Sequence, residues 1–272
     1  LSLLRLIPDP PGKIVSGKIH YAGNNLLEKN DAEMRKIRGN KISMIFQEPM
    51  TSLNPVYTIG YQIREVLKLH QGLAKKAARE QAIQLLHSVG FAMPEQRIDN
   101  YPHQLSGGMR QRAMIAMALS CRPELLIADE PTTALDMTIQ AQILDIIQAL
   151  RQKLRMSILL ITHDLGVISE IADRVIVMYA GQIVEMAPVE TLFNDPKHPY
   201  SRGLLQSIPS IYEKRDRLHV IHGSIPSPTD YPQGCRFHPR CDRVQAICTS
   251  KAPAMESPDP DRQVRCWLHA LS

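Results

Sequence analysis

The 272-residue sequence lacks any hydrophobic run long enough to cross a membrane. Its longest clean apolar stretches, such as ILLI and VIVMY, have the length of a β-strand, whereas a membrane helix needs about 20 apolar residues. No signal-like segment opens the chain, which favours a cytoplasmic location. Aromatic residues make up only 5% of the chain, and they do not accompany the scattered basic residues. The net charge of +5 therefore indicates solubility rather than nucleic-acid binding.

A glycine-rich segment, LSGGM at Leu105–Met109, precedes a stretch that is typical of a buried helix. The hydroxyl of Ser106 predicts an N-cap, and Gly107 and Gly108 let backbone N–H groups approach an anion. The positive end of the helix would face that anion. By itself, an SGG triplet is equally typical of a loop or a linker.

Two adjacent carboxylates, Asp129 and Glu130, follow an apolar run of strand length, ELLIA. Successive side chains of a strand point to opposite faces. One carboxylate can therefore hold Mg²⁺, while the next polarises a water for attack on a phosphoryl group. Pro131 then ends the strand. A solvated acidic turn is the alternative interpretation.

Two further strand-like segments also end in polar side chains. SILLITHDLG ends in Thr162, His163 and Asp164, and KISMIFQEP reaches Gln47, a neutral group that can contact a metal or a water. His163 would lie beside the carboxylates if the two strands are neighbours, although a single histidine is more often structural. Three strands that each end in a suitable polar group predict a site that handles phosphate.

The order and spacing of these segments resemble the ATP-binding cassette (ABC) ATPases. LSGGM resembles their signature loop, LLIADEP their Walker B strand, TALD at Thr133–Asp136 their D-loop, ITHD their switch-histidine loop and the segment at Gln47 their Q-loop. QEPMTSLNP, YPHQLSGGMRQR, ADEPTTALD and HPYSRGLLQSIP further resemble the ATPase subunits of dipeptide and oligopeptide importers. That group includes nickel and glutathione importers, so these four solutes are the candidate cargoes.

The resemblance implies an α/β fold with three parts. Residues 1–187 would form an ABC-type ATPase core with a mainly parallel sheet, and a helical subdomain at about 56–121 would carry the signature motif. Prolines become frequent from Pro188 onward. Residues 188–272 would therefore form a loop-rich C-terminal extension of the importer type.

The resemblance also implies a function and its partners. The protein would be an ATPase subunit at the cytoplasmic face of the inner membrane, with ATP and Mg²⁺ as cofactors. It would work with a second ABC ATPase subunit, identical or different, with two transmembrane permease subunits and indirectly with an extracytoplasmic solute-binding protein, but not with nucleic acid. Met50, Leu53 and Tyr57 are candidates for the permease contact, and each is equally compatible with the core.

Each ATP would lie between the Walker loops of one subunit and the signature of the other. In the family's pattern, Glu130 acts as general base, His163 steadies the γ-phosphate and Gln47 senses it. The resemblance also implies two ligands of Mg²⁺, Asp129 and Gln47, and a contact of Asp136 across the subunit boundary. The residues that would bind ATP are Ser106, Gly107, Gly108, Asp129, Asp136 and Gln47.

No G-x4-G-K-[ST] loop, the Walker A motif of this family, occurs in the sequence. Losing three or four charge-assisted hydrogen bonds forfeits on the order of 5–10 kcal/mol of phosphate binding. We therefore expect that the chain is a fragment of a longer protein. The alternatives are a non-hydrolysing partner that supplies only its signature, and a soluble ABC ATPase that acts on nucleic acid.

Four of the five cysteines have the spacing C-x5-C-x6-C-x17-C near the C-terminus: Cys235, Cys241, Cys248 and Cys266. Clustered thiols in a cytosolic protein favour a metal over disulfides. The close pairs typical of zinc sites are lacking, and wider spacings suit a [4Fe–4S] cluster about as well. The same pattern occurs in the extension of importer ATPases, where it resembles an iron–sulfur site. Unligated thiols are the alternative.

Overall fold

The computed structural model of the protein describes residues 1–47, 52–133, 135–208 and 219–269. The chain divides into two compact units, Leu1–Thr162 and His163–Ser272. The first unit contains β1 (His20–Tyr21), β2 (Asn24–Asn25), α1 (Asp31–Ile37), β3 (Ile42–Ile45), α2 (Ile59–Gln71), α3 (Lys75–Ser88), α4 (Pro94–Arg97), α5 (Gly107–Ala118), β4 (Leu125–Asp129), α6 (Met137–Leu154) and β5 (Ser157–Ile161).

The parallel sheet of the first unit has the strand order β3-β4-β5. Ile45 lies opposite Ala128, and Asp129 lies opposite Ile161. Leu126 and Ile127 of the central strand are buried, as expected for a strand that is covered on both faces. Because the strands are parallel, their carboxyl ends meet at one edge of the sheet. The three strands predicted to end in polar residues are therefore neighbours.

Helices α2, α3 and α5 share one apolar core. Thr58 caps α2, where its hydroxyl oxygen accepts a hydrogen bond from the N–H of Tyr61 at 3.2 Å. Gly72, with φ of 65°, ends the same helix in the left-handed conformation that glycine tolerates. The side chains buried in this core include Ile63, Leu67, Ala82, Leu86 and Ile115.

The first twelve residues, LSLLRLIPDPPG, contain no α-helix. Only Ser2–Leu4 form a single 3-10 turn, which Arg5 ends in the left-handed conformation. Arg38 holds this turn, because its guanidinium donates to the carbonyl oxygens of Leu4 at 2.7 Å and Arg5 at 3.0 Å. The prolines that follow exclude further regular helix, since proline cannot donate a backbone hydrogen bond.

The second unit contains an antiparallel sheet of order β6-β7-β9-β8. The α-helices and strands of the second unit are α7 (Leu165–Ile171), β6 (Arg174–Tyr179), β7 (Gln182–Pro188), α8 (Val189–Asn194), α9 (Pro199–Gln206), α10 (Ala246–Ser250), β8 (Glu256–Asp259) and β9 (Arg262–Val264). β6 and β7 form a hairpin that turns at Ala180 and Gly181, which both have positive φ. The pairing of β9 with β7 was not predicted, and it places the hairpin in the same unit as the C-terminal residues. The predicted domain boundary after Ala187 stays a prediction.

A buried carboxylate holds the start of α9. Glu185 of β7 is fully buried and accepts hydrogen bonds from the backbone N–H groups of Lys197 and His198, both at 2.9 Å. His198 in turn caps α9, because its Nδ1 accepts a hydrogen bond from the N–H of Tyr200 at 3.0 Å. Pro199 occupies the first helical position, where its missing N–H costs nothing. The HPY sequence is therefore a helix start with a buried cap.

Burial, with a smaller contribution from the charge of His269, lowers the pKa of His198 from 6.5 to about 4. Between pH 6.5 and about 4 the unfolded chain therefore binds more protons than the folded one. The contribution of His198 to the free energy of unfolding should be fully present above this window. It should fall by about 1.4 kcal/mol per pH unit as the pH drops through the window.

We expect His198→Asn, which keeps an acceptor for the helix cap, to remove most of this loss. The free energy of unfolding, measured with denaturant across the window, checks the expectation. His222→Asn, at an exposed histidine of the same unit, should keep the pH dependence of the parent protein. An equal acid sensitivity in His198→Asn and the parent would contradict the assignment.

Candidate nucleotide site

Glu130 lies at the carboxyl-end edge of the parallel sheet, directly after the last residue of β4. Its backbone has φ of 45°, a left-handed conformation that is uncommon for a residue with a side chain. Its N–H donates to the carbonyl oxygen of Ile161 at the end of β5, at 2.9 Å. The strained residue is thus fixed at the point where two strands end, a position typical of functional sites.

Two neutral donors converge on one carboxylate oxygen of Glu130. The side-chain amide of Gln47, which follows β3, donates from Nε2 to Oε2 at 2.9 Å. The hydroxyl of Thr133 donates to the same oxygen at 2.8 Å. The structure therefore brings together Gln47 and Glu130, which the sequence placed at the ends of separate strands.

A turn from Glu130 to Thr133 carries the second of these donors. The N–H of Thr133 donates to the carbonyl oxygen of Glu130 at 3.2 Å, and buried Pro131 holds the second position, which proline favours. Gln111 of α5 is 2% exposed, and its side-chain amide donates to the carbonyl oxygen of Pro131. Sequence reasoning assigned Thr133 only to the D-loop and missed Gln111. The EPTT pattern, a proline followed by hydroxyls, is the signal that could have revealed Thr133.

The glycine-rich segment begins α5 as predicted. The hydroxyl oxygen of Ser106 accepts a hydrogen bond from the N–H of Met109 at 3.4 Å, and Ser106 and Gly107 are exposed. Gly108 has a second reason to be glycine, because a Cβ there would lie 3.0 Å from Cγ2 of Ile139 in α6. Close packing of the two helices thus favours a residue without a side chain at this position.

The other predicted site residues occupy defined positions. Asp136 caps α6, where its Oδ1 accepts a hydrogen bond from the N–H of Ile139 at 2.9 Å. Asp129 is half-buried at the end of β4. His163 is exposed and is the first residue of the second unit, two residues after β5 ends. Its proximity to Glu130 stays a prediction.

Two family models match the chain: ABC transporter over residues 2–133, and oligopeptide/dipeptide transporter, C-terminal region, over residues 184–248. The oligopeptide transport ATP-binding protein AppD of Bacillus subtilis (strain 168) is 56% identical over 269 residues, which cover 99% of this chain and 82% of AppD. The chain belongs to the oligopeptide/dipeptide ABC transporter ATP-binding family. The resemblance inferred from the motifs is thereby confirmed.

Other relatives agree with this family and with its fold. The dipeptide transport ATP-binding protein DppD of Escherichia coli (strain K12) is 48% identical over 98% of this chain and 81% of its own length. Among solved structures, the ATP-binding cassette MJ0796, in a dimeric post-hydrolysis state bound to ADP and Pi, is similar with a TM-score of 0.58 and 27% identity. That match covers 64% of this chain and 74% of MJ0796, and it confirms the ABC-type α/β fold.

The structure does not support the metal site predicted at the four C-terminal cysteines, which are free thiols. No group of three or more His, Cys, Asp or Glu side chains within the described ranges, which include all four cysteines, could hold a metal ion. Cys235 and Cys241 pack instead against an apolar cluster that includes Phe237. Burial, with smaller contributions from the other three thiols, raises the pKa of Cys266 to about 11.

No helix in the described part of the chain combines the length and the apolar character that a membrane span requires.

Proposed function

We propose that this chain is the ATP-hydrolysing subunit that energises an importer of peptides or related small solutes. The observation that carries the proposal is the carboxylate of Glu130, held by Gln47 and Thr133 at the edge of the parallel sheet. The names of AppD and DppD, which specify oligopeptide and dipeptide transport, support the peptide class of cargo. The same relatives support a peripheral position at the cytoplasmic face of the inner membrane.

Glu130 is the general base in this proposal. A carboxylate can take a proton from water as the water attacks a phosphoryl group, provided that its orientation is fixed. Two hydrogen bonds to Oε2, together with the backbone bond to Ile161, supply that fixed orientation. His163 would steady the γ-phosphate, in line with its place two residues beyond β5.

Asp129 and Gln47 would hold Mg²⁺ beside the phosphates. Both supply oxygen donors, and Mg²⁺ commonly takes only one or two protein ligands while phosphates and waters complete its shell. The bound ion would neutralise charge on the phosphates. Because Nε2 of Gln47 donates to Glu130, its Oε1 is the atom that suits the metal. One side chain would then connect the metal to the base.

Ser106, Gly107 and Gly108 would bind the nucleotide of a second ATPase subunit, identical or different. Ser106 and Gly107 are exposed at the start of α5, where backbone N–H groups and the helix dipole favour an anion. The dimeric MJ0796 structure bound to ADP and Pi supports a two-subunit arrangement. Asp136 would bridge the two subunits in addition to capping α6.

We expect Glu130→Gln to slow ATP hydrolysis by ~10²–10⁴-fold, because the amide cannot accept the proton of the attacking water. ATP binding should be retained, since the substitution keeps the size of the side chain. Steady-state turnover and equilibrium ATP binding of the full-length protein within its transporter measure the two effects. Glu95→Gln, at an exposed site, is the matched control. Unchanged turnover in Glu130→Gln would remove Glu130 from the base role.

The helical part of the first unit would contact the permease through a small aromatic surface that we call the tyrosine pair. Tyr57 and Tyr61 stack with ring centroids 4.6 Å apart, and they are 45% and 42% exposed. Neighbouring Val56 is 69% exposed. Exposed aromatic clusters are typical of protein interfaces. Leu53, another predicted contact, is 2% exposed and belongs to the core, and Met50 lies outside the described residues.

We expect the double variant Tyr57→Ser/Tyr61→Ser to weaken recovery of the permease subunits by about tenfold or more, because aromatic anchors dominate interface energies. Affinity purification from solubilised membranes measures the recovery. Leu69→Ser, at a 74% exposed apolar residue of α2, is the control and should leave recovery unchanged. If nucleic acid is recovered instead of permease, the result would favour a soluble ABC ATPase and contradict the importer assignment.

An iron–sulfur cluster at the four cysteines is the finer part of the sequence-based prediction. Two observations support it: Cys235 and Cys241 pack against the same apolar cluster, and the N–H of Cys235 donates to the carbonyl oxygen of Cys248 at 2.9 Å. We expect anaerobically purified protein to contain iron and visible absorbance that Cys266→Ser removes, with Cys121→Ser as control. Iron-free, colourless protein from such a preparation would contradict the hypothesis.

A further inference from the structure

We infer that Thr133 is a positioning residue for Glu130, an inference that rests on the proposed base role of Glu130. Thr133 binds Glu130 twice. Its N–H donates to the Glu130 carbonyl oxygen at 3.2 Å, and its hydroxyl donates to Oε2 of the carboxylate at 2.8 Å. Backbone and side chain of one residue therefore fix the backbone and the side chain of the other.

A fixed carboxylate matters because proton transfer to a general base depends on geometry. Glu130 is only half-buried, so packing alone does not set the rotamer of its long side chain. The hydroxyl of Thr133 supplies a directional contact where packing is incomplete. This contact selects one orientation of the carboxylate relative to the sheet edge.

The bond from Thr133 differs from the bond that Gln47 makes to the same oxygen. Gln47 is 83 residues away in the sequence and follows a different strand, so its bond depends on the arrangement of two segments. Thr133 belongs to the same turn as Glu130, and only three residues separate donor and acceptor. Buried Pro131, held by Gln111, fixes that turn. Thr133 therefore holds Glu130 independently of the position of the segment that carries Gln47.

Three substitutions in the full-length protein, assayed within its assembled transporter, test this role. Thr133→Val removes the hydroxyl and keeps the shape, and we expect kcat for ATP hydrolysis to fall about tenfold with KM changed less than about twofold. Thr133→Ser keeps the hydroxyl and should restore kcat to within about twofold of the parent protein. Thr249→Val is the matched control, because it removes a hydrogen bond of similar length, 2.9 Å from the hydroxyl to the carbonyl oxygen of Ala246, in the second unit.

The results separate this inference from the function on which it rests. Parental kcat in Thr133→Val, or an equal loss in Thr133→Val and Thr133→Ser, would overturn the positioning role, as would a change confined to KM. An equal loss in Thr249→Val would also overturn it, because the effect would then not be specific to the turn. Glu130→Gln is assayed in parallel. If that variant alone lost turnover, the base role would stand and the positioning role would fall.

Discussion

The parallel pairing of β3, β4 and β5 is the constraint on which the site depends. Gln47 and Glu130 are separated by 83 residues, and their side chains reach 2.9 Å only because their strands lie side by side and end at one edge. Parallel strands cannot be joined by a tight turn, so long helical connections must separate them in the sequence. The pairing of buried apolar strands therefore decides which distant polar groups meet.

Helix α5 contacts both the turn from Glu130 to Thr133 and helix α6 within the first unit. Gln111 of α5 binds the carbonyl oxygen of Pro131, and Gly108 of α5 lies close to Ile139 of α6. Helix α5 is thus packed against the turn that carries Glu130, and a buried hydrogen bond joins the two. Because protein interiors are tightly packed, displacing one of these parts would strain its contacts with the other.

The second unit relies on buried polar groups to order segments with little regular structure. Glu185 satisfies the N–H groups of Lys197 and His198, and Arg262, also buried, donates to the carbonyl oxygen of Asp195 at 2.8 Å. An unpaired polar group in such surroundings would cost stability, so each pairing fixes the chain path. Burial in the same unit also raises the pKa of the Cys235, Cys241 and Cys266 thiols.

The sequence by itself determined the order of the motifs, the three strands with polar ends and the caps at Thr58 and Ser106. These features depend on residues close together in the chain, so periodicity and i to i+3 spacing carry them. Tertiary structure alone decided that Gln111 binds the carbonyl oxygen of Pro131 and that β9 pairs with β7. It also decided that Cys235 and Cys241 pack against an apolar cluster. Such contacts join segments that are far apart in the sequence. The local sequence does not reveal them, because burial and hydrogen bonding in the folded chain decide which segments meet.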